Sequence, residues 1–161
     1  MLTTLPTPLP ATLPAKRHAI DVVDASYLQT LLGYNARRVS LQSIELFTQR
    51  MERLSIPPVD FSILSLVQHN PGITSRQLCT ELSLLPPNLV GKIGMMQKRD
   101  WLARKPHPDD GRAIGLYLTD AGGAMVAEAE RVVIELEDEV SSKLTAAESK
   151  TLLRLLQKVY S

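Results

Sequence analysis

The chain has 161 residues, 44% of them hydrophobic but only 4% aromatic, with a formal net charge of +1. That length favours one domain, or one domain with a dimerisation arm, around a core of Leu, Val, Ile and Met. No stretch approaches the ~20 apolar residues of a membrane span. The single cysteine, Cys79, excludes an intrachain disulfide framework and fits a reducing compartment.

Residues 1–18 form a tail rich in Pro, Thr and Leu. Four prolines interrupt what would be the apolar part of a signal peptide, and Lys16-Arg17 follows it instead of preceding it, so a cytoplasmic location is expected. The tail reads as extended and polyproline-like, with Leu2, Leu5, Leu9 and Leu13 available to lie along a hydrophobic groove; the alternative is disorder. Ser26 can cap a long helix to about Leu54, with Leu28, Leu32, Ala36, Val39, Phe47, Met51 and Leu54 at helical spacing. Pro57-Pro58 ends it and starts a second helix carrying Phe61, Leu64 and Val67. After the Asn70-Pro71-Gly72 turn, Thr74-Ser75-Arg76-Gln77 is a capping box for a short third helix with Leu78 and Leu82. Pro86-Pro87 suits the first turn of a fourth helix to about Arg99, striped by Leu89, Ile93 and Met96.

Trp101–Arg104 then reads as a strand, and Ile114–Leu118 as a second. Between them lies KPHPDDGRA, a tight, proline-stiffened tip that points Arg112 outward. Thr119 caps a fifth, long helix, and Thr145-Ala146-Ala147-Glu148 is a capping box for the last one. Charge is divided along this order. Residues 72–118 hold seven Lys/Arg against four Asp/Glu, and residues 119–161 hold five against eight. A basic middle suits a polyanion, although ordinary surface charge gives the same count.

Two short helices joined by a turn and followed by a basic hairpin make a winged helix-turn-helix. The second helix of such a pair enters the major groove, and a thin tip bearing one Arg suits the minor groove. Here the chain resembles the MarR family of transcriptional regulators. WLARKPHPDDGRAIGLYLTDAG is similar to that family's wing, with Asp110 and Arg112 at the tip and Leu118, Thr119 and Gly122 beyond it. ITSRQLCTELSLLPPNLVGKI stands where the family has its helix-turn-helix. The similarity covers about residues 20–160.

The resemblance implies a mainly α, winged-helix homodimer on a palindromic DNA duplex. Residues 19–56 and 119–161 would be dimerisation helices, and residues 57–118 the DNA-binding lobe. It further implies a repressor released by a small ligand held between the two. The expected DNA contacts are Thr74, Ser75, Arg76, Pro86, Pro87, Asn88, Gly91, Lys92, Arg104, His107, Asp110 and Arg112. The family's recognition helix commonly carries Ser/Thr followed by Arg, whereas this one has Pro87, Asn88, Gly91 and Lys92. Gly91 and Gly94 each cost a helix about 1 kcal/mol relative to Ala. They suit either close approach of the backbone to DNA or packing against a neighbouring helix. The expected ligand wall is Tyr34, Arg37 and Arg38 with Phe61, Leu64 and His69, which favours a small aromatic acid; the arginines read equally well as solvated or ion-paired.

Cys79 offers a redox reading on the same scaffold, set against burial as an ordinary core residue. A protein-interaction module that has lost DNA binding is a third reading. His18, His69 and His107 are too scattered for a metal site, no cofactor motif is present, and no catalytic set points to an enzyme.

Overall fold

A computed structural model describes residues 23–160 of the chain; the expectations for residues 1–18 lie outside them. Two units, residues 1–37 and 38–161, are taken separately. The first holds α1 (Ser26–Gln29) and the start of α2 (Leu32–Met51). The expected continuous helix is therefore broken. Thr30 turns its hydroxyl onto the Tyr27 carbonyl at 2.7 Å, and the Asn35 carboxamide donates to the carbonyls of Gln29 and Leu31, both at 2.8 Å. Those side chains satisfy backbone groups that a continuing helix would have paired. Nor does Ser26 cap: its own N–H donates to Asp24 Oδ1 at 2.9 Å.

In the second unit, α2 runs into a 3-10 turn, Glu52–Leu54, closed by Ser55 in the left-handed region. Pro58 then opens α3 (Pro58–His69), where a missing N–H costs nothing. The capping box forms as the sequence predicts and starts α4 (Ser75–Glu81): Gln77 N–H donates to Thr74 Oγ1, and Thr74 N–H donates to Gln77 Oε1 at 2.8 Å. Pro86 and Pro87 open α5 (Pro86–Lys98). Strands β1 (Leu102–Pro106) and β2 (Ile114–Leu118) pair antiparallel, with Leu102 opposite Leu118 and Pro106 opposite Ile114. Helix α6 (Asp120–Val140) starts under a Thr119 cap, and α7 (Ala146–Tyr160) under the box of Thr145 and Glu148. The backbone N–H of Thr145, then its hydroxyl, donates to Glu148 and holds that carboxyl below the usual range.

The core is where α3, α4, α5, β2 and α6 meet. Ile63, Leu64, Leu78 and Ile93 have no exposed surface, and Val67, Leu89, Met96, Leu116, Val126 and Ala129 are 1% exposed. Two glycines are fixed by closeness of backbone. A Cβ at Gly115 would lie 2.6 Å from the Gly72 carbonyl oxygen, and one at Gly122 would collide with the Trp101 carbonyl. The first lets residues 72–74 pair with β2, through Gly72 N–H to the Leu116 carbonyl at 2.8 Å. The second presses α6 onto the base of the wing.

By contrast, α7 buries nothing: Leu152, Leu153, Leu155 and Val159 stand 42–64% exposed on it. On α2 only Phe47 and Met51 are buried, while Leu32, Val39, Leu41 and Ile44 are exposed.

Candidate nucleic-acid interface

The N-terminal half of α5 and the start of α4 border one depression, and the hairpin joins the start of α4 through the pairing of Thr74 with Gly115. In α5 the residues Leu89, Ile93 and Met96 turn inward. At 100° per residue this places Pro87, Gly91 and Lys98 on the outer side, flanked by Asn88 and Met95 on one edge and by Pro86 and Val90 on the other. All seven are exposed. The glycine question is resolved by space. A Cβ at Gly91 or Gly94 would meet nothing within 4 Å among the described residues, so neither makes room for a neighbouring helix there.

Gly91→Ala is accordingly expected to raise Tm by about 3 °C, from roughly 1 kcal/mol of helix propensity. It should also weaken binding to duplex DNA if the backbone there approaches bases. Thermal melting and anisotropy read the two effects separately, and a fall in Tm would show that the space is filled in solution.

Lys92 is not where the sequence placed it. Its ammonium donates to Asp60 Oδ1 at 2.6 Å, tying α5 to the first turn of α3. The Asp60 side chain is 4% exposed and that of Lys92 31%. A buried carboxylate requires a partner, and Lys92 is that partner rather than a free reader of bases. Nothing local in the sequence points to this pair, because Asp60 reads simply as an acid in a first helical turn.

Thr74 is also engaged, its hydroxyl donating to Gln77 Oε1 at 2.8 Å within the cap. Ser75 is half-buried, Arg76 is exposed, and Arg76 makes no ion pair among the described residues. The Asn88 side chain likewise makes no hydrogen bond among the described residues. Between α4 and α5 lies an apolar depression of about 310 Å³ lined by Ser75, Arg76, Cys79, Thr80, Pro86, Leu89 and Val90. Cys79 is half-buried there, packed against the core on one side.

At the wing tip, Asp110 and His107 build the turn. Arg112 N–H donates to Asp110 Oδ1 at 3.0 Å, and Asp109 N–H donates to His107 Nδ1 at 3.2 Å. Asp110 was expected to touch DNA; its carboxylate instead shapes the tip, and an anion there would repel phosphate. Arg112 itself is exposed, and its guanidinium is unpaired among the described residues. Arg104 is exposed too, but its Nε donates to Gln97 Oε1 at 3.2 Å, which links the wing to the end of α5.

The residues expected to form the ligand wall are divided between the two units and are taken within each. Leu64 is fully buried in the core. His69 is turned to Glu130, Nε2 to Oε1 at 3.3 Å. Tyr34 is half-buried and Arg37 exposed in the first unit. In the second, Arg38 is exposed, and its position nine residues before Phe47 puts it about 180° round α2 from that ring.

Phe61 does line a hollow of about 210 Å³, with Ser43, Ile44, Phe47, Pro58, Ser62, Val133, Leu136 and Glu137. Phe47 and Phe61 stack at 5.7 Å and 55° inside this group. The polar groups of the hollow are two hydroxyls and a carboxylate, not a cation. Among the described residues no three His, Cys, Asp or Glu side chains come together as a metal site, and no helix is long and apolar enough to cross a membrane.

A MarR family profile matches residues 54–113, from the end of α2 to the wing tip. The Escherichia coli multiple antibiotic resistance protein MarR is 29% identical over 129 residues, covering 80% of this chain and 90% of its own. An HTH-type transcriptional repressor of Mycobacterium tuberculosis is 26% identical over 130 residues, covering 81% and 94%. Among solved structures, the transcriptional repressor CouR on a 23-mer DNA duplex superposes with a TM-score of 0.80 at 30% identity, covering 88% of this chain and all of that one. CouR bound to p-coumaroyl-CoA superposes at 0.73 and 30% identity, covering 86% and 97%. These relatives are transcriptional regulators rather than enzymes. The chain is a winged-helix transcriptional regulator and belongs to the MarR family.

Proposed function

We propose that the protein is a dimeric repressor that grips a palindromic duplex through α5 and the wing of each lobe, and releases it when an aromatic acid or its thioester binds. The observation that carries the DNA reading is the exposed outer side of α5, with an exposed Arg112 that makes no ion pair among the described residues, on a chain that superposes on a repressor solved with DNA. The apolar sides of α2 and α7, bare in the single chain, support pairing through residues 19–56 and 119–161. Two lobes so joined would read half-sites centred roughly 10 base pairs apart.

Anisotropy on the region upstream of the protein's own gene tests this. Affinity should fall steeply with salt, as Lys and Arg release counterions. Equal affinity for native and scrambled duplex at every salt concentration would leave a protein-interaction module as the better reading. Arg112→Ala should lower operator affinity about tenfold with Tm unchanged, because the residue is exposed and its side chain makes no ion pair among the described residues. Full affinity in that variant would put the DNA face elsewhere.

For the ligand, the hollow of about 210 Å³ that Phe47 and Phe61 help to line has room for one substituted ring. Ser43, Ser62 and Glu137 suit a hydroxyl on that ring better than a bare carboxylate. CouR's ligand, the thioester of an aromatic acid, is of this chemistry. Hydroxybenzoates and their thioesters are the compounds to screen, by thermal shift and by release of bound operator. An inducer must favour the free form, since equal affinity for both forms shifts nothing. If none acts, and an oxidant releases DNA only while Cys79 is unblocked, the redox reading takes its place.

A further inference from the structure

The reading surface of α5 is short of positive charge. Over its first seven residues, PPNLVGK, the one cation is Lys92, and Asp60 holds it at 2.6 Å. Arg and Lys are the usual readers of guanine, through its O6 and N7. What α5 leaves free on its two outer edges is of another kind. Asn88 is exposed and its carboxamide unengaged among the described residues, and a carboxamide matches the N6 donor and N7 acceptor of adenine. On the opposite edge, Val90 is 59% exposed and borders the apolar depression shared with Pro86. A branched aliphatic group at the mouth of an apolar hollow suits the C5-methyl of thymine, the one apolar group on the major-groove edge. Gly91, between the two edges, adds no side chain that would hold them off the bases.

We propose that α5 selects A·T pairs at the core of each half-site. Asn88 takes an adenine edge, Val90 takes a thymine methyl, and Asp60 is the positioning residue that keeps Lys92 from guanine. This rests on the DNA-binding reading above and adds the sequence class that is read.

The test begins with selection of bound duplexes from a randomised library by the full-length protein. The expected result is a two-fold symmetric motif whose half-site core is A·T. In that motif, exchanging the core thymines for uracil removes only the methyl groups, and should weaken binding several-fold in the wild type but not in Val90→Ala. Asn88→Ala should lose about tenfold on the selected duplex and little on one with altered core pairs. The charge-free pair Asp60→Asn with Lys92→Met should select the same core, whereas Asp60→Asn alone should admit guanine. Should Asp60→Asn fail to fold, the uracil exchange decides by itself.

A core of guanines selected by the wild type would overturn the proposal and leave the DNA-binding reading intact. So would a uracil effect that persists unchanged in Val90→Ala. Failure to enrich any sequence would overturn both.

Discussion

Lys92→Ala should destabilise the lobe rather than merely loosen its hold on DNA. The substitution leaves Asp60, a carboxylate 4% exposed, without the ammonium that it accepts from. Breaking a buried pair from one side costs about 3–5 kcal/mol, and the lower end applies here because the Lys92 side chain stays 31% exposed. Against a total stability of roughly 5–15 kcal/mol, that is a large loss. Tm should fall by about 10 °C, on the basis of roughly 2–4 °C per kcal/mol at this size. Removing both charges should recover most of the loss, since the penalty belongs to the orphaned carboxylate and not to the absent pair. Equal melting of Lys92→Ala and wild type would show that water or another group reaches Asp60. From the sequence, Lys92 is an outward base on a recognition helix and its loss an affinity defect. The structure makes it a stability defect first.

Leu155→Asp should separate the subunits and, with them, operator binding. Leu155 is 47% exposed on α7, beside Leu152 at 42% and Val159 at 64%. A helix with such a stripe and no buried residue gains little from its own chain, so its stability depends on burying that stripe against another surface. A carboxylate in the middle of the stripe would have to be desolvated without a partner. Sedimentation should then report a monomer at micromolar concentration. Operator affinity should drop by a hundredfold or more, because the second lobe no longer arrives already tethered to the first. The wing and α5 are untouched, so weak, salt-sensitive binding to any duplex should remain. A dimer that persists through this change would require the pairing surface to lie elsewhere.

The elements were most legible where the chain's chemistry is local. Pro57-Pro58, Pro86-Pro87, the Thr74–Gln77 box and the Thr145–Glu148 box each act within one helical turn, and those helix starts fall where the sequence puts them. The limits of β2 were equally plain from alternation after the tip. The break before α2 was not, because it depends on Asn35 reaching back to the Gln29 and Leu31 carbonyls, against an apolar spacing that runs through unbroken. The long-range and loop contacts of the candidate interface were not legible residue by residue. Lys92 and Asp60 are 32 positions apart, and the Asp110 carboxylate accepts from the Arg112 N–H of its own loop. Phe61 was found as an aromatic wall, but its partner Phe47 and the acid Glu137 come from helices that only packing brings beside it.

The seam at Gly122 has a mechanical consequence. The Thr119 N–H donates to the Trp101 carbonyl at 3.1 Å, and the missing Cβ of Gly122 lets α6 begin against that same residue. The wing and α6 are thus joined at one seam, from which α6 extends as an arm of 21 residues, about 30 Å at 1.5 Å per residue. A tilt of some 6° about one end of such an arm carries the other by about 3 Å, close to the ~3.4 Å step between base pairs. A ring wedged beside Val133 and Leu136, near the far end of the arm, would need to push by less than the width of an atom to send the tip out of register with its groove.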